Sequence, residues 1–213
     1  MKIETASVDS VILYFEETIS EDVLDKVQHA FHKLKTLPHI INLTPSYHSI
    51  LIQYDIFKYD IDAVKQKIQE AILNTPLSSS GTEGKLIEIL VDYSKGLDLD
   101  RVAKIHGLSP KQVIAKHTGK TYRVYAIGFM VGFAYLASVD DSIATPRLDS
   151  PRSKVPQGSV AIAESQTAIY PQQSAGGWNI IGHTEFDDYE QFEIGDSVRF
   201  VCATSTLYTY HYV

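Results

Sequence analysis

Residues 158–183 read GSVAIAESQTAIYPQQSAGGWNIIGH. Short runs of β-branched and small apolar residues, Val160–Ala163, Thr167–Tyr170 and Asn179–Ile181, are separated by Glu164-Ser165 and by the Pro, Ser and Gly of residues 171–177. Turn-forming residues at that spacing stop each strand after a few positions, and no three-to-four helical period survives between them. Outward from this stretch the pattern repeats: YRVYAIGF at 122–129 lies before it and DSVRFVC at 196–202 after it. A series of short strands broken by Gly and Pro predicts a compact β-barrel or sandwich from about Thr121 onward.

Upstream the period changes. Leu99, Val102 and Ile105 mark a short helix ended by Gly107, and Ser109-Pro110 supplies the N-cap and first-turn proline of another that runs to about His117. Near the start, Ser10–Glu16 is strand-like. Ser20 before Glu21 and Asp22 then caps a helix whose apolar stripe is Val23, Leu24, Val27, Phe31 and Leu34. Pro38 closes it. His39–Leu43 and Ser49–Tyr54 flank Thr44-Pro45-Ser46 as a hairpin, and Ile61, Val64, Ile68 and Ile72 give a second amphipathic helix. Leu77–Gly84 is small and polar, a flexible connection, and Lys85–Tyr93 is strand-like again. The order β-α-β-β-α-β predicts a ferredoxin-like split βαβ over residues 1–84, with the β-barrel domain over 85–213; the strand at 85–93 equally starts the second domain. The fold class is α+β.

A chain of 213 residues, 44% hydrophobic and 21% charged, can bury the cores of such domains. The net charge of −7 leaves no cationic surface for a phosphate backbone, which argues against nucleic acid as a partner. Cys202 is the one cysteine, so neither an internal disulfide nor a thiolate zinc site is expected, and no metal is predicted. MKIETASVDS lacks the apolar core of a signal peptide, and no window approaches the roughly 18 apolar residues of a membrane span; a cytoplasmic protein off the membrane is expected. All five arginines, Arg101, Arg123, Arg147, Arg152 and Arg199, lie in the second half, where planar two-point recognition of an anion must therefore reside.

Some patterns are decoys. Gly81-Thr-Glu-Gly-Lys85 has two residues between its glycines where a phosphate-wrapping loop needs four. His29 and His32 share a helix face without a third ligand, which favours a solvated surface over a metal. No G-x-S-x-G elbow or Cys/His pair announces a nucleophile.

The stretches GLDLDRVAKIHGLSPKQVIAKHTGKTYRVYAIGFMVGFAYL, PRLDSPRSKVPQGSVAIAESQTAIYPQQSAGGWNIIGHT and IGDSVRF together resemble the family of KipI and the 5-oxoprolinase B subunits, also called allophanate hydrolase subunit 1. The resemblance covers residues 97–200 almost continuously and the first 90 more loosely, through element order and through Asp9 before an apolar strand. It implies a small α/β domain followed by a cyclophilin-like barrel. His117, Gly128, Phe129, Gly132, Phe133, Arg147, Arg152, Pro156, Gln166, Tyr170, Pro171, Gly176, Gly177 and Trp178 match the family pattern. Departures fall at Val131, Leu148, Glu164, Ala168, Ala175 and His183, and at Tyr93-Ser-Lys-Gly in place of a glycine-rich turn.

The matched residues suit a small amide or carboxylate. Arg147 and Arg152 clamp an anion, Gln166 pairs with an amide, and Phe129, Phe133, Tyr170, Trp178, Gly176 and Gly177 wall the site. His117 is the candidate acid or base. Each has a structural alternative: ion pairs of the arginines with Asp140, Asp141 or Asp149, core packing for Trp178, turn geometry for the glycines, and a helix-end cation for His117.

By resemblance, the function is that of one component of an ATP-dependent 5-oxoprolinase, which hydrolyses the lactam of 5-oxoproline to glutamate. It implies companions of the A type and of the C type (allophanate hydrolase subunit 2), with ATP held by the complex rather than by this chain alone. The alternatives are a KipI-type regulator that inhibits a sensor histidine kinase and the carboxyltransferase module of a urea carboxylase; a prolyl isomerase, on barrel likeness only, ranks last.

Overall fold

Alternating burial along two strands organises the N-terminal part of the chain. The computed structural model describes residues 1–18, 20–73 and 84–203, and the chain divides into the units Met1–Gly84 and Lys85–Val213. The connection expected over Leu77–Gly84 lies, but for Gly84, outside the described residues.

In the first unit, β1 (Lys2–Ser7), β2 (Ser10–Tyr14), β3 (Ile40–Pro45) and β4 (Ser49–Tyr54) form an antiparallel sheet in the order β1-β2-β4-β3. Helices α1 (Glu21–Leu34) and α2 (Ile61–Leu73) complete the unit. Val11 and Leu13 of β2 and Ile50 and Ile52 of β4 are fully buried, as are Val23, Leu24, Val27 and Leu34 of α1 and Val64 and Ile68 of α2. At about 1.5–3 kcal/mol per buried aliphatic side chain, this apolar layer supplies most of the unit's driving force. The Ser20 side chain accepts from the Val23 N–H, so α1 begins where its capping residue predicts.

The element order differs from the one expected. The run β2-α1-β3-β4-α2 is present, but the fourth strand of the sheet is β1, hairpinned onto β2, and Leu86–Val91 belongs to the second unit. The reason is physical. β1 is an edge strand with nearly every side chain exposed, so it carries no apolar alternation to announce it, whereas the strand at 86–91 buries Ile87, Ile89 and Val91 elsewhere.

The second unit is built on seven strands: β5 (Leu86–Val91), β6 (Thr121–Ile127), β7 (Ala134–Ala137), β9 (Ser159–Ala163), β10 (Gln166–Ile169), β12 (Asn179–His183) and β13 (Ser197–Cys202), in the order β12-β9-β10-β7-β6-β13-β5. β5 runs parallel to β13, and the other pairings are antiparallel. One bridge between Asp92 and His183, with N–H···O distances of 2.7 and 3.0 Å, ties the two ends, giving a nearly closed barrel. A two-stranded ribbon of β8 (Arg152–Val155) and β11 (Ser174–Gly176) lies apart from that sheet. Helices α3 (Leu99–His106), ended by Gly107 at φ 64°, and α4 (Pro110–Thr118), opened by a Ser109/Gln112 capping box, stand where their caps place them.

Period-two alternation sends side chains of four strands into two separate cores. Val160, Ile162, Ile169, Leu136 and Ile181 join the main core with Val124, Val198 and Phe200. Their neighbours Ala161, Ala163, Ala168, Phe133, Tyr170, Trp178 and Ile180 form a smaller one with Val155 of β8. Alanines on this second face leave room for large rings to lie on the sheet. Among the described residues no helix is long and apolar enough to cross a membrane.

Candidate functional site

The aromatic rings of the second core rise to form a cleft of about 240 Å³ lined by Phe129, Phe133, Tyr135, Arg147, Pro151, Tyr170, Ala175, Gly176, Gly177 and Trp178. Phe133 is at its centre. It meets Phe129, Tyr135, Tyr170 and Trp178 edge to face at centroid distances of 4.9–5.7 Å, the geometry that ring quadrupoles favour. Phe129 holds φ at 70°, a left-handed conformation rare for a bulky side chain, within a loop closed by Gly128 N–H to Phe133 O at 3.1 Å. It is 64% exposed, and Val131 at the same loop is 76% exposed.

Arg147 is the cleft's cation. Its guanidinium carbon lies 5.8 Å from the Trp178 ring centroid, a cation–π contact. Among the described residues no carboxylate pairs with it; Asp140 instead holds Lys116 and Ser142. Burial pushes the Tyr170 phenol above its ordinary value, with the Trp178 N–H and the Arg147 charge opposing, so its proton stays in place at neutral pH. A Cβ on Gly176 would stand 2.3 Å from the Tyr170 hydroxyl, whereas one on Gly177 would make ordinary contact with Pro151 at 3.6 Å.

Seven of the ten site residues expected from the sequence are thus brought together: Phe129, Phe133, Arg147, Tyr170, Gly176, Gly177 and Trp178. Three are not. Arg152 is committed to Asp98, a buried carboxylate 2.7 Å away whose other oxygen accepts the Ile180 N–H at 2.8 Å. Gln166 begins β10, half-buried and outside the cleft lining.

His117 is fully buried in the main core and stacked on Phe200 at 4.6 Å. The Thr167 hydroxyl donates to Ala161 O at 3.0 Å and so accepts from His117 Nε2–H at 2.9 Å; Nδ1 then accepts from Tyr93 O–H at 2.7 Å. Burial drives the imidazole pKa down to about 3, leaving a neutral structural histidine where a titrating acid or base was expected. Tyr135, Pro151 and Ala175 complete the lining without being expected as site residues from the sequence, where Ala175 stood out only as a departure from the family pattern. The Phe133-Ala-Tyr135 alternation is the signal that puts Tyr135 on the same face as Phe133.

Residues 1–194 match the family described as carboxyltransferase domain, subdomain C and D. The chain belongs to that family. Among carboxyltransferase subdomain C and D relatives, it is 33% identical to a protein named as the B subunit of 5-oxoprolinase from Bacillus subtilis, over 94% of this chain and 92% of that one. It is 36% identical to a Haemophilus influenzae protein of the same name, over 79% and 82% of the two chains. The crystal structure of TTHA0988 superposes with a TM-score of 0.79 at 32% identity; it covers 92% of this chain, which spans only 40% of that longer one.

The chain's departures from the family pattern acquire places. Val131 is exposed at the cleft-side loop, Ala175 lines the cleft, and Ala168 is fully buried beneath it. Glu164 sits at φ 52° in the β9–β10 turn, a conformation glycine adopts without strain.

Proposed function

We propose that the chain is the B-type component of an ATP-dependent 5-oxoprolinase complex and contributes a substrate-recognition wall that companion chains of the A and C types complete. The observation that carries it is Arg147, a guanidinium with no carboxylate partner among the described residues, at the lip of a small aromatic cleft. 5-Oxoproline is a flat lactam bearing one carboxylate. The carboxylate suits the guanidinium, the ring suits the slot between Phe133, Tyr170 and Trp178, and the Tyr170 O–H suits the lactam carbonyl as a donor.

Among the described residues the lining holds no carboxylate, thiol, imidazole or serine hydroxyl. Bond-breaking groups therefore come from the companion chains, and this chain binds, orients and polarises. At about 240 Å³ the cleft is smaller than the roughly 300–1,000 Å³ of sites for larger ligands, which suits it to the lactam rather than to ATP. On this reading the nucleotide is held by the complex rather than in this cleft. Phe129 and Val131, apolar and exposed beside the cleft, are the anchors offered to a companion.

The test mixes the purified components of the complex with ATP and 5-oxoproline and follows glutamate. Arg147→Ala is expected to lower kcat/KM by about tenfold or more, the worth of a charge-assisted hydrogen bond, with assembly intact. Unchanged glutamate formation would remove Arg147 from recognition.

A further inference from the structure

Arg147 is an exposed, rotamer-rich side chain, and such a group binds an anion well only if its backbone and its approach to Trp178 are fixed beforehand. Two tripeptides lie side by side to do this. Residues 146–148 carry Arg147 at their centre, and residues 177–179 carry Trp178 at theirs. One end is closed by the backbone, Leu148 N–H to Gly177 O at 2.7 Å. The other is closed by a side chain: the Asn179 amide donates to Pro146 O at 2.9 Å.

Asn179 is fully buried and has every polar atom used. Its second N–H donates to Ile162 O at 3.1 Å, and its oxygen accepts from the Arg101 guanidinium on α3. Two carbonyl acceptors and one guanidinium donor leave a single amide orientation. Helix α3 braces the same loop again through His106, whose Nε2 lies 3.0 Å from the Thr145 hydroxyl, itself donating to Ile143 O. Nothing in this brace touches the cleft: neither Asn179 nor Arg101 lines it.

We infer that Asn179 is a positioning residue for Arg147, holding the Pro146–Leu148 segment so that the guanidinium stays over Trp178 and is ready for a carboxylate. The inference rests on the recognition role given to Arg147 above. It adds that anion affinity is set partly from α3, through an amide that never meets the ligand.

Trp178 is the only tryptophan in the sequence, so its fluorescence reports this contact directly in the full chain. Asn179→Asp keeps an acceptor for Arg101 but sets a carboxylate oxygen against Pro146 O. The ligand-free Trp178 emission is expected to shift in the same direction as in Arg147→Ala, and the double variant should shift no further than Arg147→Ala alone. Titrated with 5-oxoproline, each single variant should bind about tenfold more weakly, with the double within about twofold of Arg147→Ala. Binding of 2-pyrrolidone, which lacks the carboxylate, should stay within about twofold throughout.

A purely structural asparagine would weaken both probes alike and add to Arg147→Ala, and either result overturns the inference. Wild-type emission and affinity in Asn179→Asp overturn it too. If Arg147→Ala leaves 5-oxoproline binding intact, the recognition role fails instead, and the ligand-free emission still decides whether Asn179 positions Arg147. Should Asn179→Asp not fold, Arg101→Met, which frees the amide oxygen, is expected to give a smaller shift of the same sign that vanishes in the Arg147→Ala background; its absence overturns the inference.

Discussion

Gly176 and Gly177 are adjacent, both lie in the cleft wall, and they do different things. Adding a methyl group at Gly176 collides with the Tyr170 hydroxyl, and Tyr170 is only 1% exposed, so the ring cannot swing away. Gly176→Ala is expected to cost about 1–3 kcal/mol by overpacking and to abolish 5-oxoproline binding, while Gly177→Ala stays near wild type. Urea midpoints and Trp178 titrations of the two variants check this, and equal effects would remove Gly176 from its specific role. At this scale the sequence is informative about residue type and silent about partners. Arg147 and Arg152 look alike in it, each in a proline-rich loop, yet only the fold shows that Asp98, far away in sequence, takes Arg152, while Arg147 lies over Trp178 with no carboxylate partner among the described residues.

Helix α4 and strand β10 are joined through His117, and this gives the barrel an acid limit. The imidazole is neutral in the fold, with its pKa near 3, and near 6.5 when the chain unfolds. Below pH 6.5 the unfolded state binds a proton that the folded state refuses. The histidine's contribution is therefore complete above that pH and is lost toward pH 3 at up to about 1.4 kcal/mol per pH unit. His117→Gln, which can still donate to Thr167 and accept from Tyr93, is expected to lose about 2 kcal/mol less than wild type between pH 7 and pH 5. Urea unfolding at the two pH values measures the difference; equal losses would show that His117 protonates freely in the fold.

The helices are the elements most legible in the sequence, because caps at Ser20, Ser109 and Gly107 and apolar stripes are local signals. The strands of the second unit are legible as strands. Their division between two cores is not, since Val-Ala-Ile-Ala in β9 is apolar on both faces. β1 escapes altogether for the opposite reason, having almost nothing buried.

The two units have separate cores, and the whole cleft, with the brace behind it, belongs to Lys85–Val213. A fragment beginning at Lys85 is expected to unfold cooperatively with the full chain's Trp178 emission. One beginning at Asp92 lacks β5, uncovers an edge of β13 and should not, and circular dichroism melts distinguish them. Relatives of this chain are named as the B subunit of 5-oxoprolinase, and the proposed role accords with a cleft whose lining, among the described residues, offers one guanidinium and no thiol, imidazole or serine hydroxyl.

The most direct measurement is glutamate release from 5-oxoproline and ATP by the assembled complex, with the wild-type chain, with Arg147→Ala and with the chain left out. Turnover that requires this chain and falls about tenfold or more with Arg147→Ala, at unchanged assembly, is the predicted result. Turnover indifferent to the arginine, or to the chain itself, would contradict the account.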